Sequence, residues 1–191
     1  MNADNSQRSL CDGSENVLVV IDIQQRLASV MPEKVLKQVI ENTQFLIQCA
    51  SHLNIPVIIS EQYPKGLGST LSELLDQLPS NVQSVEKTCF SCASNTEFQG
   101  KLKQLNKKQV VLTGMEAHIC VSQTAIELLN EKYEVFIATD AVCSRKKKHY
   151  KNAINRLLHA GSIATNSESI AFEWLRDAKH EQFKAISKLL K

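Results

Sequence analysis

Asp22, Lys87 and Cys120 are the residues of this chain whose types and placement could together open a carbonyl bond. Cys120 lies in the stretch Gln109-Val-Val-Leu-Thr-Gly-Met-Glu-Ala-His-Ile-Cys-Val-Ser-Gln-Thr124. There a β-branched apolar run, Val110-Val111-Leu112, is broken by Gly114 and gives way to a helical pattern at Val121, Ala125 and Leu128. A thiol at such a handover meets free backbone N–H groups and the positive end of a helix dipole, both of which favour a thiolate. Asp22 closes the run Val17–Ile21, and Lys87 closes the weaker run Val82–Glu86. A carboxylate beside the thiol could take its proton and later return it to a leaving amine, and a nearby ammonium favours both anions. Backbone N–H groups in the Gly114–Cys120 turn could hold the developing oxyanion. Each residue also has a plainer reading: a buried structural Cys120, an Asp22 capping a helix that starts near Gln24, and a surface Lys87.

Other reactive types carry less. Cys89-Phe-Ser-Cys92 is a lone C-x-x-C without the second pair or histidine pair that zinc would need, so it reads as ordinary free thiols. His118 reads as a pocket wall or a packed residue, because a side chain two before Cys120 in a turn entering a helix need not face it. Arg145-Lys-Lys-Lys-His149 reads as a solvated helix start, with contact to a phosphate or acidic substrate as the alternative. Loops such as Tyr63–Gly68 and Cys89–Ser94 supply pocket walls.

The elements that must position these residues alternate between strand and helix. Strands are expected at Val17–Ile21, Ile55–Ile59, Val82–Glu86, Gln109–Thr113, Glu134–Thr139 and Ser162–Ala164. Helices are expected from Pro32 to Leu53, Thr70 to Leu78, Thr96 to Leu105, Ala117 to Glu131 and Lys146 to His159, and two more close the chain. Continuous apolar runs such as Val17–Ile21 mark strands covered on both faces, as in a parallel sheet with right-handed crossovers. In such sheets ligands bind beyond the carboxyl ends of the strands, where Asp22, Lys87 and Cys120 all fall.

The chain has 191 residues, 43% hydrophobic and 22% charged, the size and composition of one globular domain at residues 16–191. Its net charge of +2 offers no electrostatic case for nucleic acid, and no apolar run approaches a membrane span. Residues 1–15 are polar, fit neither a secretory signal nor a transit peptide, and read as a disordered tail in which Cys11 is exposed. Six cysteines without an export signal suit a reducing cytoplasm. No G-x-G-x-x-G follows any strand, which argues against a dinucleotide enzyme.

Asp22-Ile-Gln24, Lys87 and Gly114-Met-Glu-Ala-His-Ile-Cys120-Val121 resemble the isochorismatase-like cysteine hydrolases. Thr139-Asp140-Ala141 with Ser144-Arg145, and Thr165-Asn166-Ser-Glu168, extend the likeness over about residues 16–176. The resemblance implies a three-layer α/β/α fold with a six-stranded mainly parallel sheet and a catalytic triad of Asp22, Lys87 and Cys120. It implies a cis peptide between Met115 and Glu116, with the N–H groups of Glu116 and Cys120 forming the oxyanion hole. Gln24, Tyr63 and His118 become substrate-binding candidates, the partner a small-molecule substrate, and the assembly a homo-oligomer. The nicotinamidase branch holds a metal with an Asp and histidines after the second strand. Here Ser60–Gly68 contains no histidine, so neither metal nor other cofactor is expected, and Glu61 reads as a hydrogen-bonded loop carboxylate. The run Glu61-Gln-Tyr-Pro-Lys-Gly-Leu-Gly68 instead resembles a branch of unassigned substrate. The function implied is hydrolysis of a small amide through a Cys120 thioester, the alternative a catalytically idle binding or scaffold protein.

Overall fold

A computed structural model describes residues 10–79 and 82–190. In chain order the elements are β1 (Asn16–Ile21), α1 (Gln25–Ala28), α2 (Glu33–His52), β2 (Val57–Gln62), α3 (Pro64–Leu67), α4 (Ser72–Leu75), β3 (Gln83–Lys87) and α5 (Thr96–Leu105). There follow β4 (Gln109–Met115), a π turn at Ala117–Val121, α6 (Ser122–Asn130), β5 (Glu134–Cys143), α7 (Lys147–Ala160), β6 (Ile163–Thr165), α8 (Ser167–Leu175) and α9 (Phe183–Lys188). All strands pair in parallel in the order β3-β2-β1-β4-β5-β6. The expected three-layer α/β/α sandwich with a six-stranded sheet is the architecture observed.

The unbroken apolar run of β1 has its cause in the two cores. Leu18 and Val20 join Leu46, Ile47, Val111, Phe136, Ile170 and Trp174 on one face of the sheet. Val17, Val19 and Ile21 join Phe98, Leu102, Val110, Leu112, Ala125 and Leu128 on the other. A strand whose alternate side chains enter opposite cores has no solvent face, and all six residues of β1 are buried. Helix ends follow local chemistry. Asn95 and Asn166 accept from the N–H groups of Phe98 and Ser169 and so start α5 and α8, while Gly161 stops α7 in the left-handed region.

The structure departs from the expectations in four places. The Thr70–Leu78 helix shortens to Ser72–Leu75, and the Ala117–Glu131 helix opens with the π turn before α6 begins. The fifth strand does not end at Thr139 but runs to Cys143, resuming its pairing with Gly114 and Met115 after a register shift. The tail expectation fails for residues 10–15, while residues 1–9 lie outside the described residues. Cys11 is buried, not exposed: its N–H donates to Glu173 Oε2 at 2.6 Å and its sulfur accepts from Asn16 Nδ2 at 3.0 Å. Asp12 N–H donates to Gln109 Oε1 at 2.6 Å, and Asp12 caps a turn at Gly13–Glu15. These polar groups are satisfied by the start of β4 and by α8, which is why a segment without apolar periodicity still packs.

Gly114 is the backbone feature that lets β4 and β1 meet where the site begins. It pairs with Ile21, immediately before Asp22, at φ +113°, and a Cβ there would stand 2.0 Å from the Ile21 carbonyl oxygen. Only glycine tolerates both conditions. Gly114→Ala should destabilise the fold by about 3 kcal/mol or more, a fall of roughly 10 °C in Tm by calorimetry. An unchanged Tm would mean that the close approach is not required.

Candidate active site

Three strand ends deliver the expected side chains to one buried cluster. Asp22 leaves β1 at φ +52°, with its N–H bonded to the Ser60 carbonyl at 3.1 Å. Its side chain caps nothing. Oδ1 accepts from Ser60 Oγ at 2.7 Å, Oδ2 accepts from Lys87 Nζ at 2.7 Å, and the carboxylate also engages the Cys120 thiol. Lys87, at the end of β3, is not a surface lysine: its ammonium donates to Asp22, to Gln62 Oε1 at 2.8 Å and to the Phe90 carbonyl at 3.1 Å. An ammonium has three hydrogens, so all of them are engaged within the protein. Both side chains of the pair are 0% exposed. Cys120 lies in the π turn, 5% exposed.

The electrostatics follow from burial. Burial raises the Asp22 carboxyl above the ordinary carboxylate range, against the pull of Lys87 and of its hydrogen bonds to Lys87, Ser60 and Cys120. Burial pushes the Lys87 ammonium down, but the Asp22 charge, with Cys92 and Cys120, outweighs it and keeps Lys87 protonated. For Cys120, burial and the neighbouring Asp22 both raise the thiol pKa, and Lys87 only partly offsets them. The handover to a helix favours thiolate, as the sequence suggests, yet in the free protein the desolvated thiol beside a carboxylate stays protonated.

The Met115–Glu116 peptide is cis, as the resemblance implies, with Glu116 immediately before the π turn and Cys120 within it. The Glu116 side chain is turned away into an ion pair with Arg145, which gives it its backbone N–H at 3.0 Å and Nε at 3.1 Å as well as Nη2. Burial opposes ionisation of Glu116, but the Arg145 hydrogen bonds and charge hold its carboxyl below the ordinary range. That clamp ties the end of β5 to the turn.

The substrate-binding candidates divide. Gln24 is fully buried, with Nε2 donating to the carbonyls of Gln62 and Gly68 at 3.1 and 2.6 Å and Oε1 accepting from Gln62 N–H at 2.7 Å. Its amide is saturated by backbone, so Gln24 shapes the 62–70 loop rather than reaching a ligand. Tyr63 is 54% exposed and lines a hollow of about 370 Å³ that Lys87 also borders. His118 turns to Ser144, Nδ1 to Oγ at 2.9 Å, and packs against His149 with ring centroids 4.6 Å apart and planes tilted by 44°. Glu61 accepts from both the N–H and hydroxyl of Thr70, at 2.6 and 2.7 Å. Among the described residues no three His, Cys, Asp or Glu side chains gather as metal ligands would.

Ser60, Gln62 and Cys92 are site residues that the sequence reading passed over. Cys92 is buried with its sulfur 3.4 Å from Ser60 Oγ, one hydroxyl away from Asp22, while Cys89 is half-buried. A signal was present: Ser60 and Gln62 are polar interruptions at the carboxyl end of a strand whose beginning, Val57-Ile58-Ile59, is wholly apolar.

An all-parallel α/β sandwich carrying an Asp, a Lys and a Cys at the carboxyl ends of its first, third and fourth strands is the framework of the isochorismatase-like hydrolases. The family model for the isochorismatase domain matches residues 16–169, and the chain belongs to that family. It is 36% identical to isochorismatase family protein 1B of Dictyostelium discoideum over 180 residues, covering 92% of this chain and 86% of that one. Among solved structures, the MAR1 ribonuclease of Caenorhabditis elegans superposes with a TM-score of 0.89 at 34% identity, covering 95% and 92% of the two chains. The YcaC gene product of Escherichia coli, described as an octameric hydrolase of unknown specificity, gives a TM-score of 0.87 at 22% identity, covering 95% and 89%, a likeness of fold.

Two outcomes are expected from this geometry. Lys87→Met strands a buried carboxylate, and should lower stability by roughly 3–5 kcal/mol, whereas adding Asp22→Asn should restore part of the loss. Strictly additive losses in denaturant titrations would mean the pair is not coupled. Limited iodoacetamide at neutral pH should modify Cys89 well before Cys120, because Cys89 alone of the six cysteines is not buried. Peptide mapping with Cys120 labelled first would show a thiol already activated in the free protein.

Proposed function

We propose that this chain is a cysteine hydrolase that cleaves the C–N bond of a small-molecule amide through a Cys120 thioester. The observation that carries the reading is the buried cluster in which Cys120 lies close to an Asp22 carboxylate that is ion-paired with Lys87. With the thiol pKa raised, a standing thiolate is not the nucleophile. The proton passes to Asp22 as sulfur attacks the carbonyl carbon, and a carboxyl lifted by burial is a better acceptor than a free one. The N–H groups of Glu116 and Cys120 receive the oxyanion, and protonated Asp22 then gives its proton to the leaving nitrogen as the C–N bond breaks. A water molecule next loses a proton to Asp22 while attacking the thioester, and the returning sulfur takes that proton back. Lys87 holds Asp22 in place and steadies its charge throughout, and no step calls for a metal or cofactor. Tyr63 borders the hollow beside Lys87, and we place it against the substrate. We place the enzyme in a reducing cytoplasm on its six free thiols, and among the described residues no helix is long and apolar enough to cross a membrane. The resemblance extends to self-association as a homo-oligomer, which light scattering on the purified protein measures.

The name of the Caenorhabditis elegans relative supports a second reading, hydrolysis of RNA. The readings separate on one variant. In a screen of small amides and a short RNA, Cys120→Ala should abolish amide turnover and the covalent adduct seen by mass spectrometry. RNA cleavage that survives Cys120→Ala, with no amide turned over by the wild type, overturns the thioester reading. Asp22→Asn should lower kcat/KM by several orders of magnitude. Because Asp22 must be ionised to accept the proton, activity should fall with decreasing pH along a limb above the free carboxylate value of about 3.9. A limb at or below that value would show that Asp22 is not the base.

A further inference from the structure

His118 and Ser122 stand four residues apart on the turn that enters α6, and Cys120 between them faces Asp22. The two outer residues line a separate hollow of about 190 Å³, closed by His149, Asn152, Ala153 and Arg156 from α7. Ligand pockets for whole metabolites run from about 300 Å³ upward, so this space suits an ion or one end of a larger molecule. Its lining is cationic or donor-rich. Arg156 has no carboxylate within ion-pair distance among the described residues. His149 is half-buried, with its ring against that of His118. The nearest carboxylate, Glu116, lies 4.0 Å from His118 Nδ1 but is already held by Arg145.

We propose that this hollow binds a tetrahedral oxyanion of the phosphate class, with His149 and Arg156 as its principal donors and His118 completing the cradle. Two imidazoles with centroids 4.6 Å apart and a guanidinium on the same wall repel one another when all are charged. A doubly charged anion among them removes that repulsion, and a singly charged planar carboxylate does so less completely. His118 is held below its ordinary pKa by burial, with His149 and Arg145 acting in the same direction against Glu116. Anion binding must therefore draw a proton onto the His118 imidazole and strengthen as pH falls. The site also gives a role to the basic run Arg145–His149, whose last residue turns inward while Lys146, Lys147 and Lys148 stay exposed.

Sulfate is the probe, because its charge does not change between pH 6 and 8. The histidine ring protons of the whole protein are followed by NMR in sulfate and in chloride at matched ionic strength. Sulfate should raise the titration midpoint of His118. It should bind about tenfold or more tightly at pH 6 than at pH 8, as expected of an imidazole whose ordinary pKa is about 6.5. Arg156→Met, at an exposed position, and His149→Gln should each abolish the effect, and acetate should produce little of it. The inference is independent of the thioester reading, so Cys120→Ala should respond to sulfate as the wild type does, whatever its activity. Titrations identical in sulfate and chloride, an undiminished response in Arg156→Met, or an equal response to acetate would each overturn the proposal.

Discussion

The buried ion pair between Asp22 and Lys87 is the constraint around which this sheet's carboxyl edge is arranged. Two opposite charges, each without solvent exposure, gain from their attraction only if their remaining hydrogen-bonding capacity is also met. Ser60 and Gln62, the Phe90 carbonyl and Cys120 supply those bonds, from three separate parts of the chain's path. Ser60 and Gln62 lie on β2, the strand between those that carry the ion pair, and their register sets Ile21 opposite Ser60 and Gln62 opposite Lys87. Gln24 then fixes Gln62 by its backbone and holds the loop that follows. Removing any one bond leaves a charged group with unmet demand in a dry environment, a harsher outcome than the loss of one surface contact.

This arrangement decides between two ways of making a thiol reactive. A thiolate at rest would need exposure and positive neighbours that outweigh negative ones. Cys120 has burial and Asp22 against it, and Lys87, which favours the thiolate, is itself bound to Asp22. The arrangement suits proton transfer within the attack instead, since the Asp22 carboxylate lies close enough to the thiol to shift its ionisation. A neutral resting thiol is also poorly susceptible to alkylation and oxidation, which depend on thiolate character. Cys92, with its pKa pushed up to about 11 by burial and by Asp22, shares that protection one hydroxyl away.

Much of this was legible in the sequence, for identifiable reasons. Runs such as Val17–Ile21 and Val110–Leu112 announce strands with two covered faces; Asp22 follows the first directly, and Cys120 lies in the turn beyond the second. What escaped was polar residues acting on other polar residues. Gln24 read as a ligand contact because its saturation by the Gln62 and Gly68 backbone depends on a fold that brings residues 38 and 44 positions away beside it. Cys11 read as tail because nothing in Leu10–Glu15 has an apolar period, and its burial rests on hydrogen bonds to Glu173 and Asn16. The extension of β5 to Cys143 was hidden by Asp140, a poor strand former that is stabilised by accepting from both the N–H and hydroxyl of Ser167.

That last interaction explains why the late parts of the family likeness belong together. Asp140 on β5 holds the first turn of α8, where Asn166 caps the helix. Beyond Asp140 the same strand carries Ser144 to His118 and Arg145 to Glu116, the two residues flanking Ala117 at the mouth of the π turn. One irregular strand thus connects the outer helix layer to the turn that presents Cys120. A register shift marks this path: Leu112 pairs with Ile137 but Gly114 with Val142, so β5 takes extra residues before it rejoins β4 beside Met115. The bulge re-aims Ser144 and Arg145 toward the site, so the geometry around Cys120 depends on β5 as directly as on the strand that bears the cysteine.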